Sequence, residues 1–354
     1  MKSNYKRLGD YIRPVDVRNT QGQVTRLLGV SIEKKFISSI ANTIGTDMST
    51  YKIVKRGQFA YGPVTSRNGD KVSIALLHEE ECIISSSYSV FEVVDSGILL
   101  PEYLMLWFRR AEFDRYARFH SHGSAREIFD WEEMCNVELP IPPIEEQKAI
   151  VNAYETIERR IALKRKINDN LEAQARAIFR QFIASSSDIH TYQMTELFDI
   201  KYGKGLATSD LQEKGYFVFG SNGLIGRYTQ YMYEKEQITI SCRGASSGKV
   251  NISLPKSFIT SNSLILECKK PYQYEFLKAF CKTFSFEEYV TGSAQPQLTI
   301  DSLLNVSVEL PDLSNIHGIS SVLGAISAAI QTNTLELISI LENRELLLDT
   351  ILHL

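Results

Sequence analysis

The chain has 354 residues, of which 44% are hydrophobic and 23% are charged, and its formal net charge is −3. This balance is typical of a globular protein, and the length predicts two domains because one hydrophobic core rarely organises so many residues. No apolar stretch near the N-terminus could act as a signal peptide, so we expect a cytoplasmic protein that does not enter a membrane. Five scattered cysteines without a Cys-x-x-Cys pair favour reduced thiols.

Each half of the chain begins with a segment of mixed pattern, at about residues 1–142 and 188–312. Short β-type runs such as residues 72–77 and 237–241 alternate with glycine-rich turns. Helical patterns follow at residues 99–119 and 274–289. The expected fold class is therefore α+β, with two globular domains in tandem.

An internal repeat relates these two segments. Gly123-Ser-Ala-Arg126 recurs as Gly292-Ser-Ala-Gln295, and Val137-Glu-Leu-Pro140 recurs as Val308-Glu-Leu-Pro311. The two recurrences lie at nearly the same separation along the chain, so both halves follow one plan.

A long helical pattern follows each Leu-Pro, over residues 143–187 and 313–354. Apolar residues recur there every three or four positions, which predicts a helix with one apolar seam. Pro142-Pro143 bars helix before the first pattern, and Glu145 and Glu146 suit its first turn. The two seams could be buried against each other.

Polar residues interrupt both seams at matched points, Lys164 in the first helix and Asn333 in the second. Such residues can fix the register of paired helices at some cost in stability. They could equally mark a place where the helices separate and solvent enters.

Candidate catalytic motifs fail on their spacing. Residues 244–249 resemble a phosphate-binding loop but have three residues between the glycines instead of four, and Val250 follows the lysine. The glycines of residues 220–226 are wrongly spaced for a dinucleotide-binding turn. Pro142-Pro143 lacks the flanking residues with which amino-methyltransferases hold a flipped base.

Metal-dependent chemistry is also disfavoured. Glu267-Cys-Lys269 would need an acidic residue upstream to form a nuclease motif, and residues 249–266 contain none. His120 and His122 lie two positions apart without other ligands at a recognised spacing, which favours a polar loop. We therefore expect no catalytic residue and no metal in this chain.

Several stretches together resemble the specificity (S) subunit of Type I restriction-modification enzymes, over almost the whole chain. Leu139-Pro-Ile-Pro-Pro-Ile-Glu-Glu-Gln-Lys-Ala-Ile-Val151 and the helix after it resemble the central repeat of the family. Residues 219–226, 241–248 and 291–298 resemble one type of target-recognition domain, and residues 51–61 resemble another. The start of the second helix, Leu313-Ser-Asn-Ile-His-Gly318, departs from the pattern.

The resemblance implies two target-recognition domains that each read half of a bipartite double-stranded DNA target, and two helices paired as an antiparallel coiled coil. It implies two methyltransferase (M) subunits docked on the helices and two motor-nuclease (R) subunits in the cleaving complex. S-adenosylmethionine, ATP and Mg would act on these partners, with no cofactor in this chain. A first helix of roughly 60 Å would exceed one DNA turn of about 34 Å.

Site residues follow from the chemistry of base recognition, which uses side-chain donors and acceptors on loops that approach DNA closely. In the second domain the candidates are Ser221, Asn222, Arg227, Arg243, Ser246, Ser247, Lys249, Gln295 and Gln297. In the first domain they are Tyr61, Arg67, His122, Ser124 and Arg126. The predicted partner-binding helix residues are Glu146, Gln147, Ile150, Tyr154, Ile161, Leu171 and Phe182. Glycine-rich strings can also be turns that only shape the fold.

Three alternative functions remain. The first is a separate specificity subunit of a Type II-like restriction-methylation enzyme. The second is a free-standing methyltransferase or nuclease, which the missing cofactor and metal motifs disfavour. The third is a coiled-coil scaffold without a DNA role, which would not need two glycine-rich domains at equivalent points of a repeat. The near-neutral charge predicts weak DNA binding by the chain alone.

Overall fold

A computed structural model describes residues 5–39, 46–66, 68–69, 71–123 and 126–350. The chain divides into two compact units. The first unit contains the residues up to Ala162 together with those from Ile338 onward, and the second contains Leu163–Leu337.

The first unit is built mainly from short strands. They are β1 (Tyr5–Arg7), β2 (Ile12–Val15), β3 (Leu28–Val30), β4 (Phe36–Ser38), β5 (Lys52–Lys55), β6 (Gln58–Tyr61), β7 (Ile74–Leu76), β8 (Glu81–Ile84), β9 (Ser89–Val93) and β10 (Glu138–Pro140). Its short helices are α1 (Pro101–Phe108), α2 (Ala111–Phe119) and α3 (Trp131–Cys135). The long helix α4 (Ile144–Ser185) contributes its residues up to 162 to this unit and the rest to the second.

The second unit has a similar inventory. Its strands are β11 (Ile189–Gln193), β12 (Phe198–Tyr202), β13 (Tyr216–Gly220), β14 (Gly223–Tyr228), β15 (Ile238–Ser241), β16 (Val250–Ile252), β17 (Ser257–Ile259), β18 (Ser263–Cys268) and β19 (Ser307–Pro311). Its short helices are α5 (Met194–Leu197), α6 (Tyr274–Cys281) and α7 (Ile300–Leu304). The long helix α8 (His317–Thr350) contributes its residues up to 337 here and the rest to the first unit.

The two units share one sheet topology, which gives the sequence repeat a structural meaning. The main sheet of the first unit has the order β2-β9-β6-β7, and that of the second has the order β12-β18-β15-β16. All pairings within these two sheets are antiparallel. The second unit adds the sheet β14-β13-β17, in which β13 and β17 run parallel.

The repeated Leu-Pro dipeptides end equivalent strands. Leu139 lies in β10, which pairs with β1, and Leu310 lies in β19, which pairs with β11. Both leucine side chains are buried in the core of their own unit. Burial of an apolar side chain stabilises a fold by about 25 cal/mol for each Å² of apolar surface that is removed from water. These leucines therefore anchor each domain close to the start of its long helix.

The two long helices pack antiparallel within each unit. In the first unit, Leu348 of α8 is buried with Val151 and Tyr154 of α4, and Arg344 donates to Glu158 at 3.2 Å. The residue numbers thus rise along α4 as they fall along α8. Each helix has an apolar seam that would be exposed to water if the helix were isolated, and each covers the seam of the other.

The polar seam residues meet in the second unit. The Lys164 ammonium donates to Asn333 at 2.6 Å and also to Glu336, and Asn168 donates to Thr334 at 3.2 Å. Asn333 is only 9% exposed. Lys164 and Asn333 therefore form a partly buried contact between the helices, as expected for residues that fix register.

Both predicted short helices are interrupted. Residues 99–119 form α1 and α2, which are separated at Arg109 and Arg110, because Arg110 adopts an extended backbone. The Arg110 guanidinium is buried over the Trp107 ring at 4.2 Å and donates to Glu112 at 3.0 Å. In residues 274–289, α6 ends at Cys281, and only a 3₁₀ turn at Phe286–Tyr289 follows. Periodicity in sequence does not reveal such breaks.

A buried ion pair ties the β3–β4 hairpin to the helices of the first unit. Lys34 lies in the left-handed region at φ 59° and is 6% exposed. Its ammonium donates to Asp114 at 2.7 Å and to the carbonyl of Phe108, and Asp114 also accepts from the Val72 amide at 2.9 Å. Burial lowers the pKa of Lys34, and the Asp114 carboxylate opposes this shift.

We expect the substitution Asp114→Ala to lower the free energy of unfolding by about 3–5 kcal/mol, because it leaves the Lys34 ammonium buried without its partner. Urea denaturation followed by circular dichroism measures this change. The exposed pair of Lys71 and Glu33 is the matched control, and Lys71→Ala should cost less than about 1 kcal/mol. Equal effects of the two variants would contradict the structural role of the buried pair.

Candidate nucleic-acid interface

Five loops of the second unit are joined by hydrogen bonds into one surface, which we call the loop cluster: residues 203–205, 220–223, 242–249, 260–263 and 291–297. The Asn262 carbonyl accepts from the Cys242 amide at 3.0 Å and from the Ser221 hydroxyl at 2.9 Å. The Ser261 amide donates to the Lys204 carbonyl at 2.9 Å, and the Gly244 amide donates to the Pro296 carbonyl at 3.0 Å. Segments far apart in sequence are thereby held in one place.

Exposed cations lie on this loop cluster. Arg243, Lys249 and Lys204 are exposed, and none of them takes part in an ion pair with the described residues. Cations that are not neutralised by their own protein are available for an anionic partner, and phosphate contacts supply most non-specific affinity for DNA. This surface has the charge that a nucleic acid requires even though the whole chain is slightly acidic.

Exposed amides lie beside the cations. Asn222, Gln295 and Gln297 have exposed side chains, and Ser246 is half-buried. The backbone of Gln297 bridges to both Thr291 and Arg243. Amide side chains carry a donor and an acceptor, the combination that base edges in the major groove can satisfy.

Three of the predicted DNA contacts have side chains that form hydrogen bonds within the second unit. The Ser247 hydroxyl donates to the Pro296 carbonyl at 2.9 Å and is buried. The Ser221 hydroxyl is engaged with Asn262, and its carbonyl accepts from Asn251 at 3.1 Å. Arg227 packs over the Phe217 ring at 4.5 Å and donates to the Gly215 carbonyl at 3.0 Å. The two serines join loops of the cluster, whereas the contacts of Arg227 lie outside it.

Two exposed residues of the loop cluster were missed from sequence. Lys204 stands between Gly203 and Gly205, and a Cβ on Gly203 would lie 2.2 Å from the Thr260 carbonyl oxygen, so only glycine permits this close approach. Asn262 lies in a short polar run between two apolar strands. The sequence signal for Lys204 was a lysine flanked by glycines just after a strand. No local sequence signal distinguishes Asn262.

The residues beside the repeated Gly-Ser-Ala motif are bridged in a similar way in both units. His122 bridges to Ile128 in the first unit, and Thr291 bridges to Gln297 in the second. The glycine that follows each of these residues has a positive φ, 132° at Gly123 and 86° at Gly292. Both copies of the motif therefore begin at a glycine of positive φ, next to a residue that is bridged across the loop.

In the first unit this loop packs against residues 62–66. The Thr65 amide donates to the Glu127 carbonyl at 2.9 Å, and its hydroxyl donates to Ser121 at 2.9 Å. Arg126 is exposed, and the His122 ring, whose side chain is 71% exposed, lies 3.6 Å from Glu133. His120 contacts the same carboxylate at 3.1 Å. The predicted Arg67 and Ser124 lie outside the described residues.

Tyr61 is a wrong prediction. It ends β6 and is 0% exposed, within an aromatic cluster that includes Phe91 and Phe129. Burial raises the pKa of its phenol. Tyr61 thus belongs to the aromatic core of the first unit and is not accessible to DNA.

Gln147 is likewise corrected, because its side chain is 0% exposed and cannot contact a partner subunit. Its amide nitrogen donates to the carbonyls of Ile98 and Pro142, both at 2.8 Å, and its oxygen accepts from the Leu100 amide at 2.9 Å. Gln147 thus bonds the start of α4 to the loop before α1.

The other predicted partner-binding residues also face inward, except Glu146, which is exposed. Tyr154 and Ile161 are 6% and 3% exposed, and the remaining members of the set are half-buried: Ile150, Leu171 and Phe182. The seam of α4 is covered by this chain itself. The large apolar side chains of α4 that are exposed are those of Leu163 and Ile167, which lie one helical turn apart on a different face.

The cysteines do not resemble catalytic nucleophiles. All five are free thiols. Burial raises the pKa of Cys82 and of Cys268 to about 12, and it raises the pKa of Cys281 as well. A thiol reacts as the thiolate, so these shifts disfavour nucleophilic chemistry.

A cavity of about 710 Å³ in the second unit lies beside α8 and is not part of the loop cluster. Its carboxylates are held by lysines of the same unit: Glu236 by Lys278, Glu267 by Lys201 and Glu234 by Lys256. Gly324 lies on its α8 side. Within the described ranges no group of three or more His, Cys, Asp or Glu residues could hold a metal ion, and no helix has the length and apolar character needed to cross a membrane.

Comparison with known proteins assigns the family. The model of the Type I restriction modification DNA specificity domain matches residues 11–173 and 186–343, and the chain belongs to this family. Its two matches coincide with the two structural repeats, each with part of a long helix.

Individual relatives are distant. The chain is 24% identical over 157 residues to the Type I restriction enzyme HindI specificity subunit of Haemophilus influenzae, which covers 44% of this chain and 34% of that protein. It is 27% identical over 155 residues to the Mycoplasma pneumoniae protein S.MpnORF285P, and this match covers 41% of this chain and 50% of that protein. The chain thus spans half or less of these curated relatives.

A solved structure confirms the predicted fold class. The crystal structure of the S subunit of a Type-I restriction-modification system from M. genitalium matches 98% of this chain and 95% of its own, with a TM-score of 0.61 and 16% identity. The tandem α+β domains and the long helices are therefore those of the predicted class.

We expect Gln147→Ala to lower the free energy of unfolding by about 2–4 kcal/mol, because two carbonyls and one amide lose their buried partner. Gln147→Glu should also destabilise the protein at neutral pH, since a carboxylate accepts from Leu100 but donates to neither carbonyl. Thermal and urea denaturation measure both changes. Glu146→Ala is the exposed control, expected within about 0.5 kcal/mol of the parent. A fully stable Gln147→Glu variant would contradict this assignment.

Proposed function

We propose that this chain is the DNA-recognition subunit of a Type I restriction-modification complex, in which each globular domain reads one half of a bipartite target. The loop cluster carries the proposal, because it presents cations that form no ion pair with the described part of the chain, beside exposed amides, in a chain of the DNA specificity family. The equivalent main sheets of the two units, and the matching bridges of His122 to Ile128 and of Thr291 to Gln297, support two readers of similar construction.

The long helices would set the spacing between the two half-sites and bind partner subunits. Two methyltransferase subunits would dock on them, and two motor-nuclease subunits would join for cleavage. Since the seam of α4 is buried in this chain, we assign the docking surface to its outer face, around Leu163 and Ile167. S-adenosylmethionine, ATP and Mg would act on the partners, and this cytoplasmic chain would contribute recognition and no catalysis.

A separate specificity subunit of a Type II-like enzyme would use the same surface, and its partner would fuse methylation and cleavage in one chain. A scaffold without a DNA role has less support, because it gives no reason for exposed, unneutralised cations on Arg243, Lys249 and Lys204. The composition of the purified complex distinguishes the first two possibilities.

Single-molecule methylation sequencing of the host genome tests the function, with this gene intact, deleted, or carrying residues 188–311 of another family member. We expect a bipartite motif with methylated adenines that vanishes on deletion. The exchange should change one half of the motif and preserve the other half and the spacing.

Two results would argue against the model. Methylation that is unaffected by deletion, when the protein and its partners are present in the cell, would exclude a role as the working reader. A domain exchange that alters both halves of the motif would exclude two independent readers.

A second prediction concerns the cations. Arg243→Ala and Lys249→Ala should each weaken the binding of the complex to specific and non-specific DNA to a similar degree, and each should reduce the slope of log K against log salt by about 0.9. Fluorescence anisotropy at several salt concentrations measures both quantities. Lys269→Ala, which removes an exposed cation paired with Asp199 outside the loop cluster, is the control. An unchanged salt slope in both variants would remove these residues from the interface.

A further inference from the structure

Asn262 occupies a constrained position of the loop cluster. Its carbonyl accepts two hydrogen bonds, from the Cys242 amide at 3.0 Å and from the Ser221 hydroxyl at 2.9 Å. Its neighbour Ser263 begins β18 and pairs with Ser241 of β15. The backbone of Asn262 is therefore fixed by two other loops and by a central strand of the main sheet.

The segment around Asn262 is a tight turn bonded to further loops. The Ser263 amide donates to the Thr260 carbonyl at 3.1 Å, and the Thr260 amide donates to the Phe219 carbonyl at 2.9 Å. The Ser261 amide donates to Lys204. Every residue from 260 to 263 thus makes a backbone hydrogen bond, which leaves the segment little freedom.

The Asn262 side chain has no structural task. It is exposed, and its amide forms no hydrogen bond with the described residues. Asparagine is often selected in turns because it tolerates left-handed backbone or bonds to its own backbone. Neither reason holds here. The Asn262 amide forms no hydrogen bond with the described backbone, and Asn262 is not among the described non-glycine residues with positive φ, which are Lys34 and Lys256. A surface amide on a rigid support is the expected form of a recognition residue.

We propose that Asn262 reads an adenine in one half of the DNA target, and this inference rests on the function proposed above. An asparagine amide can donate to N7 and accept from the N6 amino group of adenine in the major groove, a bidentate contact that other bases cannot form. The rigid backbone lowers the entropic cost of placing the amide. Lys204, on the adjoining loop, and Arg243, which directly follows the Cys242 that bonds to Asn262, supply phosphate contacts that hold the register.

The substitutions Asn262→Ala and Asn262→Asp test this in the full complex, with methylation sequencing as the readout. Asn262→Ala should abolish the preference for adenine at one motif position, a loss of about 5- to 150-fold in discrimination there. Asn262→Asp should shift the preference at that position to cytosine, because a carboxylate accepts from the cytosine amino group. The altered position should lie in the half that the exchange of residues 188–311 changes.

Asn305→Ala is the matched control, since Asn305 is an exposed asparagine of the same unit outside the loop cluster, and its motif should be that of the parent. Thermal unfolding of each variant complex accompanies the sequencing, and we expect unchanged melting temperatures. An unchanged motif in Asn262→Ala overturns the proposal, as does a uniform weakening at every position or a lower melting temperature with the motif intact. A parent complex without any motif would refute the proposed function itself, which is a different result.

Discussion

The mutual burial of two apolar helix seams is the constraint on which the rest of this structure depends. An isolated amphipathic helix as long as α4 would expose its seam to water. In the first unit, Leu348 of α8 is packed with Val151 and Tyr154 near the start of α4, so the core of this unit is completed by residues that lie far apart in sequence. Folding of the first unit consequently depends on the pairing of the two long helices.

Polar groups within this apolar framework restrict it to one arrangement. Lys164 and Asn333 meet across the helices, Gln147 bonds the start of α4 to its domain, and Lys34 is buried against Asp114. A buried polar group is stable only with its partner in place, so a shifted helix or hairpin would leave several of them unpaired. Stability from apolar burial and specificity from polar pairing are thus supplied by different residues.

The loop cluster combines a rigid backbone with exposed side chains of different chemistry. Hydrogen bonds from backbone and small hydroxyl side chains, such as those of Ser221 and Ser247, join the loops. Exposed side chains such as Asn222, Asn262 and Arg243 then project from a fixed backbone. Substitution of the exposed residues should therefore change the surface chemistry of the loop cluster without loss of the fold.

The amino-acid sequence by itself determined the repeat, the α+β class and the presence of the two long helices, because helical periodicity and proline are local signals that survive without tertiary contacts. Only the tertiary structure decided which polar residues face solvent. Tyr61 and Gln147 were predicted as contacts and are buried, whereas Lys204 and Asn262 were overlooked and are exposed. Exposure of a loop residue depends on which strands pair, such as β12 with β18 and β13 with β17, and these pairings join residues distant in sequence that no local pattern relates.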